Sequence, residues 1–234
     1  MNGPFTASPG TSAVYRATLQ ALAENGPRRT GITQIARAAD TNRPYLYRNW
    51  RDAQSLVRQA TLHELKRVLT VACDVRDPAP SPHCLTVQSV VRAARLAREH
   101  PVVRTMARTE PALVHSAVLR PTTSWHSMVW HWLTEHVTYH LPRGDAQDAA
   151  TLLVLTVALP YALTPPTEGT DEAAERTATN VRLASALHAV LGLPTPCPDC
   201  TPPPAGHPHR PTAVTAHPQD TDSFRGSTPS PSSR

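Results

Sequence analysis

Apolar residues in this chain return every three or four positions and never in a sustained alternation of two. That period fits helices that bury one face, and it leaves no candidate for a half-buried strand. Val14, Thr18, Leu19 and Leu22 keep the step until Asn25-Gly26-Pro27 ends it. Ile32, Ile35, Ala36 and Ala39 form a second short face, and Leu46 with Trp50 form a third over Arg43 to Trp50. Asn42 suits the N-cap of that third helix, and Pro44 falls in its first turn, where a missing N–H costs nothing. A longer stripe of Leu56, Ala60, Leu65, Leu69 and Ala72 predicts a helix from Asp52 to Val75. Pro78, Pro80 and Pro82 then mark a linker. Beyond it, helices are expected at Leu85–His100, Pro101–Arg108 and Pro111–Leu141, the last broken or kinked at Pro121. Two more follow over 145–163 and 171–192, the second opening on Asp171 and Glu172 and closing at Gly192, as helix ends prefer. The expected fold class is all-α, with no internal repeat.

The chain is long enough, at 234 residues, to bury a core without disulfides or metal. No apolar run approaches the roughly 20 residues that a bilayer requires, so a membrane partner is not expected. Met1 to Gly10 lacks a basic and an apolar region, so no signal peptide is expected. The four cysteines then read as reduced thiols, and the expected location is the cytoplasm, with the nucleoid. Eleven of the 42 residues from 193 to 234 are proline, a composition that predicts a disordered tail. The expected organisation is a flexible arm over 1–10, a first domain over 11–52, a second over 53–192 entered by a connecting helix at 53–75, and the tail.

Charge separates the two ends. The net charge is +5, but residues 1–72 alone carry +6, from ten cations against four anions. Lys66 is the single lysine beside 22 arginines, so nearly every cation is a planar guanidinium suited to phosphate. A polyanion partner for the first third of the chain follows. The segment Ile35 to Trp50, IARAADTNRPYLYRNW, shows how it would be met. A short helix, a tight turn and a second short helix rich in Arg, Asn and Tyr make a helix-turn-helix. The second helix is sized for a major groove about 12 Å wide. Asn42, Arg43, Tyr45, Arg48 and Asn49 point outward, to base edges and phosphates, while Leu46 and Trp50 anchor the helix. Against this stands the plain alternative of a solvated basic face on a small bundle.

These residues resemble the TetR family of bacterial transcriptional regulators. The resemblance rests on Ile35-Ala36, Ala39, Asn42, Leu46-Tyr47, Asn49-Trp50 and Leu56, and spans about residues 13–60. More weakly, His100-Pro101, Thr109 to Pro111 and Leu163-Thr164-Pro165-Pro166 are similar to actinobacterial members. It implies that Arg43, Tyr45 and Thr33 face base edges, and that Tyr47, Asn49 and Thr30 hold phosphates of double-stranded DNA. Five positions depart from the family pattern. Asp40 replaces the turn glycine, Gly31 a Ser or Thr cap, and Ala53 a phosphate-reaching lysine. Pro44 replaces a small glycine, and Asn49 a phosphate-contacting histidine.

The resemblance further implies a homodimer through the helices at about 145–163 and 171–192, and a small-molecule effector held in the second domain. Leu152, Leu153, Leu155, Val157 and Leu159 make the first of those helices apolar nearly all round, and Thr177, Val181, Ala184, Ala186 and Val190 give the second small packing residues. Trp125, Met128, Trp132, His136 and Tyr139 share one helical face and are the candidate effector pocket, with ordinary core packing as the alternative. His136 and His140 at i, i+4 supply too few ligands for a metal. Cys197 and Cys200 with His207 and His209 offer zinc-like spacing inside proline-rich sequence. Cys73 and Cys84 read as buried or inert. No metal, cofactor or catalytic residue is expected, since no GxSxG, phosphate-cradling loop or complete metalloprotease spacing is present. The reading is a one-component regulator, a ligand-responsive repressor on a palindromic operator, and not an enzyme. The competing reading is a helical interaction protein of the same fold that has lost specific DNA binding.

Overall fold

The computed structural model describes residues 10–74, 82–164, 171–193, Cys197 and Cys200. These residues hold ten α-helices and no strand. They are α1 (Thr11–Asn25), α2 (Ile32–Ala38), α3 (Arg43–Asn49), α4 (Ala53–Cys73), α5 (Pro82–Glu99), α6 (Pro101–Thr109), α7 (Pro111–Leu119), α8 (Ser124–His136), α9 (Asp145–Leu163) and α10 (Glu172–Val190). By contacts, Met1–Pro202 forms one unit; the remainder lies outside the described residues, as does the expected arm over 1–10 except for Gly10, which is the N-cap of α1.

Local chemistry explains most of the ends. Asn42 caps α3 by accepting from the Tyr45 N–H at 2.8 Å. Asp52 caps α4 by accepting from the Ser55 N–H at 2.6 Å, and the Ser55 hydroxyl oxygen accepts in return from the Asp52 N–H at 3.2 Å. That reciprocal pair satisfies two of the four donors that a helix start leaves orphaned. Asp171 does the same for α10 through the N–H groups of Ala173 and Ala174. Gly31 has no side chain to cap α2, and the Gln34 side chain compensates by accepting from the Gly31 N–H at 3.0 Å.

Two apolar cores form. The first gathers Val14, Ala17, Ile35, Ala36, Ala39, Leu46, Trp50 and Leu56 from α1 to α4. The second is built around Leu69, Ala72, Val87, Val90, Trp132, Leu133, Val154, Leu155, Leu183 and Leu187. Here α5 packs against α4, α9 and α10. The guanidinium of Arg98 ties three of these helices together, donating to the Tyr161 carbonyl at 2.8 Å and to the Asn180 side-chain oxygen at 2.9 Å. Against the expectation that no run approaches membrane length, α9 is, among the described residues, long and apolar enough to cross a bilayer, with an 18-residue window of mean hydropathy 1.4. It lies instead among α5, α8 and α10, with Val154, Leu155 and Leu159 buried.

Two expectations change. The helix drawn from Pro111 to Leu141 is two helices, separated at Pro121 as foreseen, and the second stops at His136. The reason is tertiary. The Gln147 side chain at the start of α9 donates to the carbonyls of Thr134 and Thr138 at 3.1 and 3.2 Å, supplying partners that continued helix would otherwise provide. The boundary drawn at residue 193 also moves, because Leu193 and Cys200 pack on the second core and Cys197 is buried. His207 and His209 lie outside the described residues.

Candidate nucleic-acid interface and effector cavity

α3 is held by one buried face and offers the other to solvent. Leu46 is fully buried and Trp50 nearly so. The Trp50 indole N–H donates to Gln59 Oε1 at 3.0 Å, and the Tyr15 hydroxyl donates to the same oxygen at 3.1 Å. One α4 side chain thereby joins α1, the end of α3 and itself. The turn between α2 and α3 is equally well defined. Asp40 takes φ 48°, the left-handed region that glycine fills most cheaply. Its N–H bonds the Arg37 carbonyl at 3.2 Å, and the Thr41 N–H bonds the Ala36 carbonyl at 2.9 Å. This is a Schellman closure with aspartate in the glycine place. The departure at Asp40 leaves the turn intact.

On the exposed side stand Thr33, Asn42, Arg43, Pro44, Arg48 and Asn49, with Tyr47 at 55% exposure. Tyr45 is half-buried against the first core. Two of the expected contacts are engaged internally. Asn42 Oδ1 is the cap of α3, and the Asn49 amide nitrogen donates to the Tyr45 carbonyl at 2.8 Å. Thr30 is a correction. It is buried at 6% exposure, and its hydroxyl bonds the carbonyls of Gly26 and Ala21 at 2.7 and 3.2 Å. It closes the end of α1 and does not belong to the exposed face.

Behind this domain lies a cavity of about 310 Å³ between α1 and α4 to α9. Its size falls at the lower end of the roughly 300–1,000 Å³ usual for small-molecule sites. The walls are apolar except for Thr61, Glu64 and His100. Trp125 and Trp132, of the aromatic stripe, line it. Met128 packs on the second core instead. His136 and Tyr139 do not reach it. His136 is exposed at the end of α8 and Tyr139 stands 56% exposed in the turn beyond, because the helix that would have aligned them has ended. The same end removes the i, i+4 relation of His136 and His140.

Sequence reasoning missed Glu64 and His100. His100 Nδ1 caps α6 by accepting from the Val102 N–H at 3.2 Å, so Nε2 carries the proton toward Glu64 at 3.0 Å. Arg67 grips the same carboxylate, its Nε donating to both oxygens at 3.1 and 2.9 Å and its Nη2 to Oε1 at 2.6 Å. Burial pushes the Glu64 carboxyl up, but Arg67 and His100 outweigh it and hold the group below its ordinary value. The signal was a half-buried acid on α4 and a His-Pro helix start, and only the tertiary contact between Glu64 and His100 brings them together.

α6 is shared between the cavity and the helix-turn-helix domain. Val102, Val103 and Met106 line the cavity. From the same helix, the Thr105 hydroxyl donates to the Ala23 carbonyl of α1 at 2.7 Å. Arg28, after α1, pairs with Glu110 at the end of α6. Gly26, at φ 73°, turns the chain against Thr105 and Thr109.

An exposed, basic second helix on a three-helix core, followed by an all-helical domain with an apolar cavity, defines the fold of a helix-turn-helix DNA-binding regulator. Residues 14–60 match the family model of bacterial regulatory proteins, tetR family, and the chain carries that family's amino-terminal domain. Among solved structures it is similar to the TetR family repressor AlkX from Dietzia sp. strain DQ12-45-1b, implicated in biodegradation of n-alkanes. The identity is 14%, over 82% of this chain and 99% of that chain, with a TM-score of 0.50. It is also similar to the fatty acid degradation regulator FadR from Bacillus halodurans, at 14% identity over 78% of this chain and 98% of that one, with a TM-score of 0.50. Both likenesses are of fold. No curated protein sequence matches the chain.

Proposed function

We propose that the protein is a one-component transcriptional repressor that binds a two-fold operator as a homodimer and releases it when an apolar effector enters the cavity. The observation that carries this reading is α6, which lines the cavity with Val102, Val103 and Met106 and bonds α1 through Thr105. An effector that displaces α6 draws on α1, and α1 shares its core with α3. Two recognition helices must stand about 34 Å apart to enter successive major grooves together. A small rotation of each domain spoils that spacing.

The exposed face of α3 supports base reading by Arg43, with Thr33, Tyr45 and Pro44 beside it, and phosphate contacts from Tyr47, Arg48 and Asn49. Asn42 serves the interface by fixing the start of α3. The dimer is assigned to α9 and α10. Leu152 and Leu153 are each 52% exposed on α9, an unusual position for adjacent leucines, and Thr177 and Ala189 are exposed on α10. Leu155, Leu159 and Ala184 belong to the chain's own core and are not part of that surface. The effector class follows from the walls: an apolar body, with a polar end able to meet Glu64 and His100. A first domain over 11–52 and a second entered at 53 remain the proposed division, the second now carried past 192 to Cys200; α4 joins the two, giving Leu56 to the first core and Leu69 and Ala72 to the second. The cytoplasm is the location this reading requires.

The test is selection of bound duplexes from a random library by the purified protein, with Arg43→Ala and Tyr47→Phe in parallel. Recovery of a palindrome by the native chain is expected. Arg43→Ala is expected to relax one position of each half-site by about 1–3 kcal/mol of discrimination, while Tyr47→Phe weakens all sequences alike. Binding without sequence preference, decaying steeply with salt, would instead mark the helical interaction protein.

A further inference from the structure

Cys84, near the start of α5, and His188, in the last turn of α10, meet Cys197 and Cys200 beyond that helix. The three sulfurs and a ring nitrogen lie within 4.8 Å of one another. Cys84 and Cys197 Sγ are 3.4 Å apart. Cys84, His188 and Cys197 are buried, and Cys200 half-buried. His188 is only 2% exposed, yet neither of its ring nitrogens has a hydrogen-bond partner. A buried imidazole left so is costly unless something outside the chain satisfies it.

We infer that Cys84, His188, Cys197 and Cys200 form a structural zinc site. Four ligands at about 2.3 Å for sulfur and 2.0–2.1 Å for nitrogen around a tetrahedral ion stand roughly 3.5–3.8 Å from each other, within the span observed here. Three sulfurs and an imidazole, with no oxygen ligand, select zinc over calcium or magnesium. Four protein ligands close the coordination sphere, which is the arrangement of a structural site and not of a catalytic one. Binding forms three Zn–S bonds and one Zn–N bond and releases the three thiol protons to solvent. The ion would clamp the chain at 197–200 onto α5 and α10. It replaces the pairing of Cys197 and Cys200 with His207 and His209 that spacing alone suggests. A Cys84–Cys197 disulfide does not account for the cluster, because it leaves His188 and Cys200 without a purpose.

The experiment uses the full chain, reduced and stripped with chelator, then titrated with cobalt(II) and afterwards with zinc(II). Metal content is read by mass spectrometry and coordination by absorption. One cobalt per chain is expected, with the visible bands of a tetrahedral ion and charge transfer scaled to three thiolates, both erased when zinc displaces it. Cys197→Ser and His188→Asn should lose these bands, whereas Cys73→Ser and the pair His207→Ala with His209→Ala should keep them. The native spectrum needs no variant to fold, and its thiolate count stands by itself. Failure of the native chain to retain either metal overturns the site. So does loss of the bands in the His207/His209 pair with retention in His188→Asn, or an intact-protein mass showing a disulfide under the same reducing conditions.

Discussion

The hydroxyl of Thr105 donates to the carbonyl of Ala23 at 2.7 Å. Ala23 lies in the last turn of α1, where carbonyls have no partner within their own helix. One side chain of the cavity-lining helix thus completes the end of a helix that shares a core with the recognition helix. Thr105→Val keeps the shape and removes the donor. It should lower unfolding free energy by about 1 kcal/mol, the usual worth of such a bond. Urea denaturation followed by circular dichroism measures that loss, and operator titration should show weaker binding in the same variant. Unchanged operator affinity would detach α6 from DNA binding.

Val129→Trp addresses the cavity. Val129 lines the wall from α8 and is half-buried, so a tryptophan there has open volume to occupy. An environment-sensitive apolar dye should fluoresce on binding the native protein and not on binding the variant. Operator binding should persist, since the residue packs on the second core and not on the first, which holds α3. The packing cost is expected to stay within about 1–3 kcal/mol.

Leu153→Glu tests the dimer surface. The side chain is half-exposed in the single chain, so its replacement should leave helix content and melting nearly unchanged. Placed in an apolar interface, an unpaired carboxylate is strongly unfavourable. Light scattering should report a dimer for the native chain and a monomer for the variant. Operator affinity should fall with it, because one short helix then reads one half-site. A native chain that already scatters as a monomer would remove the two-fold operator from the proposed function.

Glu64 carries a pH dependence whose sign is determined by its partners. With Arg67 and His100 holding its folded value below the ordinary 4.5, the ionised form contributes stability at neutrality. That contribution is complete above 4.5 and is lost as the pH falls through the lower folded value. The gap in unfolding free energy between the native chain and Glu64→Gln should therefore be constant near neutrality and close below pH 4.5. Denaturant titrations of both proteins across that range give the comparison directly. A gap that widens in acid would reverse the assignment.

Much of this architecture is legible in one dimension. Gly26, the capping Asn42, Asp52 and Asp171, and the break at Pro121 act on their own or adjacent residues, so their effect on φ, ψ and orphaned N–H groups needs no distant partner. The DNA-facing helix is readable for the same reason: its inward Leu46 and Trp50 and outward Arg43 and Arg48 follow helical period alone. Asp40 in the left-handed turn was likewise foreseeable, since the side-chain preference is local.

What only the tertiary structure decided depends on residues far apart in the chain. α8 ends at His136, where Gln147 of α9 meets the carbonyl of Thr134 in its last turn and that of Thr138 just beyond, and His136 and Tyr139 stand outside the cavity. Thr30 left the interface when its hydroxyl found Gly26 and Ala21. Glu64 and His100 face each other across 36 positions, and Cys84 and Cys197 across 113. Periodicity records which face of a helix is apolar; it carries no information on which other helix covers that face, because burial rewards any apolar contact alike. The pairing of helices, and with it every site assembled between them, is set by packing in three dimensions.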